Sequence, residues 1–483
     1  MGPEHLKFGG GVSQSVVNPL VLVFVLIAGL LICFGPRNKA IVPFLIASFL
    51  IPMDQILLIG SLHFPMLRIL ILFGLIRICW TKVTSGGEIF SGGVNKIDVA
   101  VILLSVFTAV NGILLWNASG AVIYQVGVLY TVFGIYFLLR FLVRDEEDVQ
   151  RVIRTFVYIA AVMAVIMVYE QTTGRNPIYG LLGGARTTVY ESVLERDGRF
   201  RAAGSFSHPI LAGTFGAILL PLFFGLWWRD KKRRKTAVLG MIAATVITVA
   251  SASSTPILAY VAGLAGLCAW PLRKRMRLIR WGIVLALISL HMVMNGPVWN
   301  LISRLDVVGG SSGYHRQELV NLFILHFRDW WLLGVKDTSQ WGWDMWDTAN
   351  QYVSTGENSG LLPFVLFLAV IVYGFKYLGV ARRAAQENKK AELFLWSLWA
   401  ALLANVVAFF GISYWDQTQV AWYALLAIIA AATKVAPATS PGTGLAQTYP
   451  DKLVRALTPR HESKTSGALN SYGRIGSGRW STK

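Results

Sequence analysis

The chain has 483 residues, of which 55% are apolar and only 14% charged, with a formal net charge of +19. Soluble domains carry roughly a quarter charged residues, so the chain lacks the surface of a water-soluble enzyme, and it is too apolar for a disordered protein. With a mean hydropathy of +0.56, the composition points to an all-α polytopic membrane protein.

In chain order, apolar runs fall at 18–35, 40–60, 63–80, 98–116, 121–142, 153–170, 208–228, 236–252, 254–271, 279–296, 358–378, 391–412 and 417–434. A crossing helix needs about 20 mostly apolar residues, so the runs predict about 12–13 transmembrane helices. The second run is interrupted by Pro52 and Asp54. None alternates in polarity, which excludes spanning strands. Only Lys7 precedes the first run and no small-residue cleavage site follows it, so no cleavable signal is expected. Cys33, Cys79 and Cys268 lie inside apolar runs, which speaks against a disulfide framework.

The polar gaps give direction. Basic clusters at Arg37/Lys39, Arg77 to Lys96, Arg140 to Arg154, Arg229 to Lys235, Arg273 to Arg280, Lys376 to Lys390 and from Lys434 onward hold 33 of the 44 lysines and arginines. They fall at every second gap, so these gaps are predicted to face the cytoplasm. The charge is therefore a topology signal rather than a nucleic-acid surface. Residues 1–435 form the membrane domain, and 436–483, rich in Gly, Ser, Thr and basic residues, read as a disordered cytoplasmic tail.

Two of the opposite gaps are long, about 171–207 and 297–357, and long connections in compact proteins are commonly functional. The first carries Arg175, Arg186, Arg196, Arg199 and Arg201 against the positive-inside trend. Arg175, Arg186 and Arg196 read as interfacial side chains reaching headgroups. Arg201, with Arg199 and His208 in the run 198–209, suits an anion, because a guanidinium fork matches phosphate oxygens. Gly204 would permit close backbone approach, and the start of the following helix would offer N–H groups. The second gap holds Arg304, then His315-Arg316. Leu319, Leu322, Phe323 and Phe327 recur at helical spacing, predicting an amphipathic helix over 315–328. Trp330, Trp331, Trp341, Trp343 and Trp346 follow. They fit either an interfacial aromatic belt or stacking on sugar rings. His208, His315 and His326 lack paired ligand spacing, so no metal site is expected. No phosphate loop, dinucleotide fingerprint or nucleophile elbow is present, so no cofactor is expected.

Three motifs resemble the O-antigen ligase and polymerase superfamily of bacterial envelope glycosyltransferases. Arg201-Ala-Ala-Gly204-Ser-Phe-Ser-His208-Pro209 is similar to the family's Arg-x-x-Gly-x-Phe-x-His/Asn-Pro run before a span. Ser312-Gly-Tyr-His-Arg316, followed by Gly334, is similar to its Ser-Gly-Arg segment and later Leu/Phe-Gly. Asp347-Thr-Ala-Asn350-Gln-Tyr352 and Gly360-Leu-Leu resemble the His-Asn-x-Tyr motif and the Gly-Leu-Leu that opens the next span. The likeness covers roughly 150–430. It implies multi-pass insertion in a bacterial inner membrane, with both long loops extracytoplasmic. The implied reaction is glycan transfer or polymerisation from an undecaprenyl-diphosphate donor, independent of metal and nucleotide. The acceptor would be a sugar hydroxyl of a lipid A core, a second repeat unit or another envelope glycan, in lipopolysaccharide or exopolysaccharide synthesis. By the resemblance Arg201 and Arg316 would bind the diphosphate, and Asn350, Tyr352 and the neighbouring Trp346 would border the substrates. Ligases carry a histidine where this chain has Ala349, and His315, Asp347 and Glu357 are the alternatives for its role. Ser253-Ser-Thr255 stands where many relatives have Ser-Arg. The competing class is a polysaccharide or lipid transporter or flippase without covalent chemistry. Such a protein is expected to carry charges or helix breakers at mid-membrane in paired halves. Only Asp54, Arg68 and Pro256 offer that here. A third reading, an inactive assembly scaffold, rests on Ala349 alone.

Overall fold

A computed structural model of the chain describes residues 15–60, 62–86, 89–183, 195–196, 198–304 and 312–434. The predicted tail at 436–483, Arg186 and the glycine-rich stretch 309–311 lie outside the described residues, as do the side chains of Arg196 and Arg304. The fold is mostly helical. In chain order come α1 (Pro19–Phe34), α2 (Arg37–Leu50), a hairpin of β1 (Ile56–Ile59) and β2 (Leu62–Pro65), α3 (Met66–Ser85), α4 (Lys96–Trp116), α5 (Ser119–Leu142), α6 (Glu146–Thr173) and α7 (Pro177–Leu182). A second short hairpin pairs β3 (Glu195–Arg196) with β4 (Arg199–Phe200). Then follow α8 (Pro209–Arg229), α9 (Arg234–Ala250), α10 (Ser254–Cys268), α11 (Met276–Val293), α12 (Ser312–Leu325), α13 (Phe327–Trp330), α14 (Gln351–Ser359), α15 (Leu361–Ala384), α16 (Lys389–Ala408) and α17 (Gln417–Ala432).

Among the described residues, 7 helical stretches are long and apolar enough to cross a membrane: α4, α5, α6, α8, α15, α16 and Trp270–Val293, which contains α11. Shorter apolar helices are α1, α10 and α17. The second apolar run departs from a single span. Its helix stops at Leu50, and the chain turns through Pro52 and Asp54 into the β1–β2 hairpin, with Ile56 opposite Pro65. At 14 residues, α2 is about 21 Å long at 1.5 Å per residue, short of the roughly 30 Å of hydrocarbon. Proline supplies no N–H to continue the helix, so the apolar residues beyond it pair as strands instead.

The centre of the bundle is α8, packed by α9, α10 and α16. Small residues let it be central. A Cβ added at Gly213 would lie 2.2 Å from Ser251 Oγ, and one at Gly225 would lie 2.2 Å from Ser397 Oγ. Close backbone approach is what drives helix association where lipid and side chain are equally apolar. By contrast α11 buries no residue, and Leu278, Trp281 and Leu285 are exposed along it.

At the basic helix ends the arginines meet carboxylates and open carbonyls. Asp98 accepts from Arg140 Nε at 2.8 Å, from Arg140 Nη2 at 2.9 Å and from the Tyr136 hydroxyl at 2.5 Å. The same carboxyl closes a capping box with Asn95 at the start of α4. Arg37 and Arg151 both meet Asp148, Arg229 meets Glu146, and Arg273 and Arg382 share Glu392. Arg77 Nη1 donates to the carbonyls of Ile32, Cys33 and Gly35, which the end of α1 leaves open.

Arg140 and Asp98 are 1% and 0% exposed. Arg140→Met would strand the carboxyl, and breaking a buried pair from one side costs about 3–5 kcal/mol. The single variant is expected to unfold at clearly lower temperature in detergent, and Arg140→Met with Asp98→Leu is expected to recover much of the loss. A single variant as stable as the parent would sink the claim.

Candidate functional site

Residues 201–207 form an irregular segment between β4 and α8, and every one of them is buried. Non-helical backbone inside an apolar bundle is tolerated only where protein groups satisfy it. Five elements do so here. Glu170, at the end of α6, accepts from Ala203 N at 3.0 Å and Gly204 N at 2.8 Å. Asn176 Nδ2 donates to Glu170 and to the Gly204 carbonyl. Ala202 N donates to the Ala250 carbonyl of α9, and Gln417 Nε2 to the Ser205 carbonyl. Ser205 Oγ donates to the Phe49 carbonyl, and Ser207 donates from both N and Oγ to Asp416.

Arg201 is 4% exposed and its Nη2 donates to Ser253 Oγ at 2.8 Å. Ser253 in turn donates to the Ser251 carbonyl in the α9–α10 link. Two expectations for this segment are corrected. Gly204 has φ +61°, and a Cβ there would lie 2.2 Å from Met163 Cε. The close approach it permits is to α6 rather than to open space. The start of α8 is also capped from within: His208 Nδ1 accepts from Ile210 N at 3.1 Å, and Pro209 follows at the first helical position. Arg175 and Arg199 are exposed and stand apart from this buried segment.

The second segment begins in α12. Arg316, Leu319 and Phe323 lie on one face of that helix, and all three are buried. His315 Nε2 is 3.0 Å from the Asp347 carbonyl oxygen. Partial desolvation pushes the Asp347 carboxyl above the usual aspartate range; His315 and Arg316 draw it down, and Asp344 pushes it up. Asp347 itself is exposed to solvent. Asn350 caps α14, accepting from Tyr352 N and Val353 N. The Tyr352 hydroxyl donates to the Val406 carbonyl. Trp346 and Trp343 are 70% and 90% exposed.

Both segments attach to the link between α16 and α17. Asn350 Nδ2 donates to the Phe410 carbonyl at 3.4 Å and Gln351 N to the Phe409 carbonyl at 2.8 Å. From the other side, Thr255 Oγ1 donates to the Gly411 carbonyl at 3.2 Å, two residues from the Ser253 that holds Arg201. The segment after Asp347 and the Arg201 segment, through Ser207 and Asp416, thus meet the same short link. Glu170 and Asp416 are not singled out by the sequence; their signal is a lone acidic residue at the edge of an apolar run. Among the described residues no group of three or more His, Cys, Asp or Glu could hold a metal ion.

Of the alternatives to the missing histidine, His315 and Asp347 accompany Arg316, while Glu357 lies seven residues beyond Asn350, about 10 Å along α14. Glu357 is 2% exposed and neither carboxyl oxygen has a hydrogen-bond partner. Burial pushes its carboxyl up from the ordinary 4.5 to about 8. Between these values the folded chain holds a proton that the unfolded chain has released, so this group destabilises the fold as pH rises from 4.5 to 8. Glu357→Gln is therefore expected to unfold at higher temperature than the parent at pH 8, the difference vanishing near pH 4.5. A difference independent of pH would contradict this account.

No family model matches the chain, and no curated protein matches it.

Proposed function

We propose that the protein is a membrane glycosyltransferase of the O-antigen ligase or polymerase type. On this reading it crosses a bacterial inner membrane about 12–13 times, with both arginine-bearing segments on the extracytoplasmic side. It moves a glycan from an undecaprenyl-diphosphate donor to an acceptor sugar hydroxyl. The observation that carries the reading is the attachment of the Arg201 and Arg316 segments to one link, 409–416. Buried guanidinium groups on two segments suit a diphosphate, because each offers a planar fork to phosphate oxygens.

In the proposed reaction the bond between the anomeric carbon and the donor phosphate oxygen breaks, and the electron pair leaves with the diphosphate. Arg201 and Arg316 stabilise the charge that grows on that leaving group. The acceptor oxygen bonds to the anomeric carbon and its proton passes to a base. Asp347, beside His315 and Arg316, is the proposed base, and His315 orients it through the Asp347 backbone. The exposed Trp346 offers a face to the acceptor sugar.

The test is transfer in vitro from a lipid-diphosphate oligosaccharide, with the product identified by mass. Removing one charge-stabilising donor costs about 10²–10³ in rate, so Arg201→Ala and Arg316→Ala are each expected to lose that much. Arg201→Lys is expected to recover only part, since lysine keeps the charge but not the fork. Full transfer by both alanine variants would refute the mechanism.

A further inference from the structure

A cleft of about 260 Å³ lies between α4, α5, α14, α15 and α17, lined by α14 residues other than Val353 and Gly356, which pack against α12 and α13. One wall is mainly aliphatic, built by Val101 and Leu104 of α4 and by Val128, Leu129 and Val132 of α5, with the hydroxyls of Ser105 and Thr108 of α4 among them. The facing wall is a ladder of neutral polar side chains on α14: Gln351, Ser354, Thr355 and Asn358. Their spacing of three and four residues sets them on one helix face. Gln419 and Tyr414 continue the polar side at the α17 end, with Trp422 and Phe409 beside them. No described residue lining the cleft carries a formal charge.

The ladder is held in order. Gln351 Nε2 donates to Thr355 Oγ1 at 3.2 Å, and Asn358 Nδ2 donates to the Ser354 carbonyl at 2.7 Å and to Ser354 Oγ at 3.2 Å. Gln351 Oε1 accepts from Tyr414 N at 2.5 Å, which fixes the upper end. Ser354 and Asn358 both line the cleft, and among the described residues no partner is found for the Ser354 hydroxyl as donor or for Asn358 Oδ1 as acceptor. A wall of this kind is wasted on a bare hydrocarbon chain, and a phosphate would find no cation here. A polar ladder opposite an aliphatic wall between membrane helices matches a molecule that is itself divided in the same way.

We infer that this cleft binds an uncharged, hydroxyl-bearing lipid, its chain along α4 and α5 and its first sugar against α14. In the glycosyl-transfer scheme, on which this assignment of role rests, the ligand is the lipid-borne acceptor. The diphosphate donor occupies the arginine side of α14 and the acceptor occupies the neutral side.

The test uses the full-length protein in nanodiscs and dodecyl glucoside carrying a diazirine in its chain, with the matching dodecyl phosphate as comparison. After photolysis, labelled peptides are mapped by mass spectrometry. The glucoside is expected to label α4, α5 and α14 well above α11, whose exposed surface reports ordinary lipid contact. Ser354→Ala with Asn358→Ala is expected to weaken that labelling about tenfold, the loss of two ordinary hydrogen bonds. Leu104→Trp is expected to abolish it by filling the cleft, with folding checked by gel filtration. The double alanine variant carries the test if the tryptophan variant does not fold. Arg316→Ala is expected to label like the parent, so labelling and transfer report separately. Labelling no stronger than on α11, equal labelling by the phosphate lipid, or no effect of the α14 substitutions would each overturn the inference.

Discussion

The Glu170 carboxyl accepts three N–H donors, from Ala203, Gly204 and the Asn176 amide, at the point where α6 ends. Much else depends on that contact. An irregular segment can enter an apolar bundle only if its backbone groups find partners there, because each one left open costs several kcal/mol in hydrocarbon. Glu170 and Asp416 hold the two ends of the segment, and Gln417 holds its middle. Arg201 is placed by the same contacts: its backbone neighbours are anchored, and its guanidinium meets Ser253. A catalytic group gains from being placed by such anchors, since orientation set during folding need not be set again on binding.

Arginines serve two purposes in this chain, and their surroundings separate them. Arg140, Arg37, Arg151, Arg229, Arg273 and Arg382 each meet a carboxylate at the basic ends of the helices. Apart from Arg151 with Asp148, which lies within α6, these pairs join neighbouring helices or the stretch before α11 to α16. Arg201 is placed differently: it is buried in the irregular segment before α8, and its Nη2 donates to the neutral Ser253 Oγ.

The sequence makes the helices legible and the pinning illegible, for one physical reason. Apolar length is a local property, so α4, α5, α8 and α16 can be read from composition within a window of about 20 residues. In the run 40–60 Pro52 and Asp54 mark the interruption, but hydropathy does not reveal that the missing N–H of Pro52 ends the helix and hands Ile56–Ile59 to a hairpin. Arg201 stands out because five arginines in its gap oppose the expected charge bias. Its pairing with Ser253 does not, because the two residues lie 52 positions apart in the chain. Gly204 was marked as a special position, but the neighbour that demands it, Met163, lies on another helix. Glu357 shows the same limit: nothing in its local sequence reveals that folding closes Phe323 and Trp330 over the adjacent Gly356.

Helix α14 has only nine residues, yet its two faces meet different worlds. On one side Val353 and Gly356 pack against the α12–α13 layer of Leu319, Phe323 and Trp330. Gly334, at φ +96°, lets the following strand of loop run against the Glu357 carbonyl, where a Cβ would stand 2.4 Å away. On the other side the neutral ladder faces α4 and α5. The helix is therefore a partition, and Asn350 fixes its first turn to the link that the Arg201 segment also reaches. Two ligands of opposite polarity could approach the first turn of α14 from its two sides without sharing a surface. A reaction that joins two lipid-borne molecules needs that separation, since each must enter from the bilayer with its chain already sorted. The short polar helix set among apolar ones is the element that makes such sorting physically feasible.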